Sequence, residues 1–121
     1  MDLHVRTTDE HKIVEGPPGA PLLEAPGDVL RVIEVCFDQH TTLVLLYAEN
    51  LTAGFFDLSS GDAGAILQKL RQYHIRLAVV VPPEGAPQST RFEQMMIEER
   101  KENHFRIFED AGSAVAWLTG S

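Results

Sequence analysis

Apolar residues along this chain are arranged in two ways, and the alternation between them predicts its elements. Val29, Val32, Ile33, Cys36 and Phe37 recur at i, i+3, i+4, i+7 and i+8, the stripe of an amphipathic helix. Ala63, Ile66, Leu67, Leu70 and Tyr73 repeat at the same spacing, with Gln68, Lys69, Arg71 and Gln72 off the stripe. Thr42–Tyr47 and Leu77–Val81 instead carry apolar residues without polar alternation. Runs of that kind are strands covered on both faces, as in a parallel sheet. Pro82-Pro83 ends the second, because proline has no N–H for the ladder.

The remaining segments fit around these. Leu3–Thr7 alternates apolar and polar, Thr8–His11 offers a turn, and Lys12–Glu15 reads as the returning strand of a hairpin. After a proline-stiffened loop, Asp28 stands as N-cap of the first helix. Ser59 followed by Asp62 resembles a capping box at the start of the second. Thr90 caps a third helix reaching about Asn103, with Phe92, Met95 and Met96 inward and the run Glu98–Glu102 facing water. Phe105–Phe108 makes a short strand, and Asp110 caps a last helix bearing Ala111, Val115, Trp117 and Leu118. Helices joining strands of one direction build a mostly parallel sheet. The expected fold is therefore α/β, one domain over residues 1–121, with about five strands, an antiparallel edge and about four helices.

Composition narrows the function. A formal net charge of −8 with scattered basic residues argues against a nucleic-acid backbone as partner. No apolar run approaches the ~20 residues that span a bilayer, so no membrane partner is expected. One cysteine, Cys36, excludes an internal disulfide and fits a reducing, cytoplasmic setting. On its apolar stripe it reads as a buried, inert thiol.

Candidate chemistry is sparse. The five histidines, His4, His11, His40, His74 and His104, show no metal spacing, and no phosphate loop or dinucleotide fingerprint is present, so neither a metal nor another cofactor is expected. Ser59 lacks a hydrolase elbow, which makes catalysis by it an unfavoured reading. Asp57 with Asp62 reads as an acid pair, as a weak cation site, or, the favoured reading, as the acidic entrance of a capped helix. Glu49 and Asn50 follow an interior strand at the end of the sheet where α/β folds bind ligands, which makes them candidate exposed anchors.

In its order of elements the chain resembles the STAS fold of the bacterial anti-sigma-factor antagonists. The residues that carry the resemblance are Phe56-Asp57-Leu58-Ser59-Ser60-Gly61 followed by Ala65-Ile66-Leu67, similar to the antagonists' Asp-Ser-Ser-Gly loop. The chain also resembles the bacterial family Domain of Unknown Function 4180, through Asn50-Leu51-Thr52, Phe55–Leu58, Gly61, Ala63-Gly64, Ile66–Lys69 and Ala116–Leu118. In the antagonists the serine after the aspartate is phosphorylated. Anchoring on Asp57 puts Leu58 there, while anchoring on Ser-Ser-Gly puts Ser59. The resemblance implies a STAS-like domain without an established activity. The capped loop, with Phe55 and Phe56 just before it, points to a non-enzymatic interaction or regulatory module. Its contact residues are Asn50, Phe55, Phe56, Asp57, Ser59, Ser60, Gly61 and Asp62, facing a protein partner. A homodimer that covers sheet edges is a further expectation. The rival expectation is a small-molecule binder or minor enzyme anchored by Glu49, Asn50, Asp57 and Ser59.

Overall fold

The computed structural model describes residues 3–8, 10–17, 19, 21–23, 26–51, 62–81 and 104–120. In chain order they form strands β1 (His4–Thr8) and β2 (His11–Glu15), helix α1 (Val29–Gln39), strand β3 (Leu43–Tyr47), helix α2 (Asp62–Gln72), strands β4 (Arg76–Val80) and β5 (Phe105–Phe108), and helix α3 (Ala111–Thr119). The helix expected from Thr90 to Asn103 lies outside the described residues.

One five-stranded sheet has the order β1-β2-β3-β4-β5, so neighbours in sequence are neighbours in space. β1 pairs antiparallel with β2 at the edge, and the other three pairings are parallel. Thr8 pairs with His11, so the hairpin turns through two residues, and both ends of the expected four-residue turn belong to strands.

Strand periodicity divides the core. Val14, Val44, Leu46, Leu77, Val79 and Phe105 face the layer made by α1 and α2. Ile13, Leu45, Ala78 and Val80 face Ala114 and Leu118 of α3. Strands β3 and β4 are thus dry on both sides, as their unbroken apolar runs demand. Each of their fully buried leucine and valine side chains contributes about 1.5–3 kcal/mol through area removed from water.

The helix stripes hold for Val29, Val32, Ile33 and Cys36, and for Ile66, Leu67 and Leu70, all buried. Phe37 and Tyr73, expected on the same faces, are instead 57% and 39% exposed. Each stands at the last turn of its helix or just past it. Their rings meet edge to face, with centroids 5.4 Å apart.

Asp28 departs from its expected role. It closes a 3₁₀ turn over Pro26–Asp28 with φ −67° and ψ −14°, and its side chain makes no capping hydrogen bond. A capping side chain needs an extended backbone to reach back to the first turn. Asp110 has one, at φ −144° and ψ 158°, and its Oδ1 accepts from the Ser113 N–H at 2.7 Å, as the sequence predicts.

Two of the scattered histidines have a structural role. His40 and His74, just past α1 and α2, adopt left-handed φ of 56° and 59°. Histidine is among the non-glycine residues that tolerate that region. The Ile75 N–H then bonds Leu70 O at 3.0 Å, and the His40 N–H bonds Cys36 O and Phe37 O. Both helices thereby close their last carbonyls and pass directly into strands.

Cys36 is buried, and desolvation pushes its thiol up to about 12. Native protein should therefore resist a thiol reagent at pH 8. Labelling should appear in step with unfolding when urea is raised, as followed by absorbance and circular dichroism on one sample.

Candidate functional site at the carboxyl ends of the strands

The carboxyl ends of β2 and β3 carry the polar side chains that the core cannot absorb. Glu15 ends β2 and Tyr47 ends β3. Glu15 is a carboxylate at a position only 2% exposed. Burial alone raises the pKa of such a group, and a lone buried charge is costly. Its neighbours reverse that effect. Arg6 donates from Nε to Oε1 at 2.6 Å and from Nη2 to Oε2 at 3.0 Å. The Tyr47 hydroxyl donates to Oε2 at 2.5 Å, and His4 Nε2 lies 3.4 Å from Oε1. Against the desolvation, the hydrogen bonds from Arg6 and Tyr47 hold the Glu15 carboxyl below its ordinary value of 4.5. Burial, with the Glu15 bond, pushes the Tyr47 hydroxyl up to about 12.

Three donated hydrogen bonds, with His4 beside Oε1, engage most of the acceptor capacity of the carboxylate. Glu15 is therefore committed to its neighbours within the fold, and Tyr47 stays protonated at neutral pH. The cluster acts as a fixed ionic knot at the corner of the sheet. Half of it was within reach of the sequence: with a two-residue turn, the hairpin register places His4 opposite Glu15 and Arg6 diagonal to it. Tyr47 was not, because it arrives through the parallel pairing of β2 with β3, in which Glu15 stands beside Leu45.

Asn50, expected as an exposed anchor, is fully buried. Its Oδ1 accepts from the Tyr47 N–H at 2.7 Å, and its Nδ2 donates to Pro17 O at 2.7 Å. Its own carbonyl accepts from Leu22 N at 3.3 Å and Leu23 N at 2.7 Å. It therefore ties the loop after β2 to the end of β3, where a chain turning without regular pairing would otherwise leave buried polar groups unmet. Gly16 is part of this fit, since a Cβ there would collide with Asn50 Oδ1 and crowd Leu46 Cδ2. Tyr47 joins the two arrangements, bonded by its N–H to Asn50 and by its hydroxyl to Glu15.

Of the other residues singled out from the sequence, Glu49 is exposed in the 3₁₀ turn Ala48–Asn50. Asp62 is the first residue of α2. Phe55, Phe56, Asp57, Ser59, Ser60 and Gly61 lie outside the described residues. Among the described residues no three His, Cys, Asp or Glu side chains group as metal ligands, and no helix is long and apolar enough to cross a membrane.

Acid should loosen the knot in a defined direction. Because folding lowers the Glu15 pKa, its contribution is complete above pH 4.5 and is lost as pH falls through the lower, folded-state value. Glu15→Gln should cost about 1–3 kcal/mol at neutral pH. It should also flatten the acid limb of stability against pH, measured by urea denaturation. Asn50→Ala should cost about 2–3 kcal/mol, because it strands a buried N–H and a buried carbonyl together.

Comparison with known proteins gives no match to a curated protein and none to a solved structure. The family described as Domain of unknown function (DUF4180) matches residues 8–118, from the end of β1 to the last turn of α3. That span includes the Asn50 clamp and, of the knot, Glu15 and Tyr47 but not His4 or Arg6, and the chain belongs to the DUF4180 family.

Proposed function

We propose that this chain is a STAS-like regulatory module of the cytoplasm, a single domain over residues 1–121. In this reading it is not an enzyme, and it presents the stretch from Asn50 to Gly64 to a protein partner. The observation that carries the reading is the clamp at Asn50. The segment expected to make contact leaves β3 from a buried, fully engaged asparagine and a buried Leu51, and it rejoins the described fold at Asp62, the first residue of α2. A loop held at both ends loses less entropy on docking than a free one. Asn50 serves this surface as its foundation, and the contact residues would be Phe55, Phe56, Asp57, Ser59, Ser60, Gly61 and Asp62.

Two further observations support a binding role over a catalytic one. Two buried reactive groups are committed to the fold: Glu15 accepts three hydrogen bonds from Arg6 and Tyr47, and Cys36 is held as a neutral thiol. The succession of parallel strands, with α1 and α2 on one face, is also consistent with the STAS resemblance.

Affinity capture from the source cell's lysate, with quantitative mass spectrometry, tests the reading. A partner held by the intact chain should be recovered about tenfold less with Phe55→Ala, the loss typical of an aromatic anchor. Ser59→Glu, which places negative charge between Asp57 and Asp62, should also weaken capture. Both variants should keep the parent melting temperature. Equal recovery of every captured protein by parent and variants would overturn the proposal.

A further inference from the structure

At the other pole of the sheet, the amino ends of β2, β3 and β4 and the carboxyl ends of α1 and α3 enclose a cleft of about 610 Å³. Its lining includes His11, Lys12, His40, Thr42 and Arg76, with Glu10 as the acidic member. In a chain of net charge −8 this is a local reversal of sign.

Arg76 is the half-buried residue at its centre. Its guanidinium lies 4.4 Å from the Trp117 ring centroid, and Arg106 approaches the same ring at 5.7 Å. Among the described residues no carboxylate pairs with Arg76. Its terminal nitrogens reach only the main-chain oxygens of Leu118 and Trp117, at 3.5 and 3.3 Å. Those bonds cap α3, but they are long for N–H···O contacts and leave donors over. Arg76 Nε is buried without a partner, and so is Nδ1 of His104. His104 immediately precedes β5, one step before the Leu77–Phe105 pair. Burial, and then the nearby charge of Arg106, lower the Arg76 pKa. Two guanidiniums on one ring, with Arg76 Nε unpartnered and no carboxylate paired with Arg76 among the described residues, leave a positive charge short of its counterion.

From this geometry we propose that the cleft binds an oxyanion, a carboxylate or phosphate group of a small molecule, seated on Arg76 and approached by Lys12. At the two helix ends, some of the carbonyls that would repel an anion are already hydrogen-bonded. The His40 N–H takes Cys36 O and Phe37 O, and the Gly120 N–H takes Ala116 O and Trp117 O. Planar, forked donors make arginine suited to such groups. The site lies at the opposite pole from the proposed partner surface and stands or falls independently of it.

Trp117 is the only tryptophan, so its fluorescence reports directly on Arg76. Inorganic phosphate and succinate are the probes, each titrated against potassium chloride at matched ionic strength. A saturable fluorescence change with a rise in melting temperature is expected for at least one of them. Whichever probe acts identifies the group as phosphate or carboxylate. Arg76→Lys should weaken binding about tenfold, since it keeps the charge but loses the fork. Lys12→Glu, on the exposed rim and outside the α3 cap, should weaken it by about fivefold or more while leaving the anion-free melting temperature near the parent value. Signals that follow ionic strength alone, or titrations that Lys12→Glu leaves unchanged, would overturn the proposal.

Discussion

The fold rests on the parallel pairing of β3 with β4, two strands with no wet face. Their register runs unbroken from Leu43 beside Arg76 to Tyr47 beside Val80. A strand buried on both sides can satisfy its N–H and C=O groups only sideways, so each needs a neighbour on both edges. Here β2 and β5 supply the outer neighbours, and α1, α2 and α3 supply the covers. Polar residues are excluded from the middle of these strands and collect at the two poles. The knot of Glu15 and the cleft of Arg76 are therefore products of one constraint, expressed at opposite ends.

That same constraint made much of the fold legible in advance. Val29, Val32, Ile33 and Cys36 declare a helix face by spacing alone, and Leu77–Val81 declares a two-sided strand by its lack of alternation. Asp110 signals a helix start that the backbone honours. Asp28 carries the same signal, but Pro26-Gly27 lead into a tight turn that leaves its backbone helical. Propensity names the residue that can cap; the path of the chain decides whether it does.

The order of strands was less accessible, because nothing in Lys12–Glu15 or Phe105–Phe108 states which neighbour each will take. The candidate site suffers from the same gap. Asn50 has the composition of a surface residue and follows a strand where ligands often bind, yet its amide spans two stretches of chain distant in sequence. Polar side chains at the end of a dry strand are drawn in two directions, to solvent or to unmet main-chain groups nearby. At Asn50 the main chain prevailed, since Tyr47 N–H and Pro17 O would otherwise be buried alone. Glu49, one residue earlier, faces water.

The left-handed histidines after α1 and α2 carry a consequence for how such a chain can vary. Because His40 and His74 turn each helix straight into its next strand, the connections at that pole have no slack, and an added residue would shift a buried strand out of register. Longer stretches of chain separate Tyr47 from Asp62 and Val80 from Phe105. Insertions and deletions among members of the family should therefore gather in those stretches and spare the turns at His40 and His74. The stretches would diversify while the two turns keep their length.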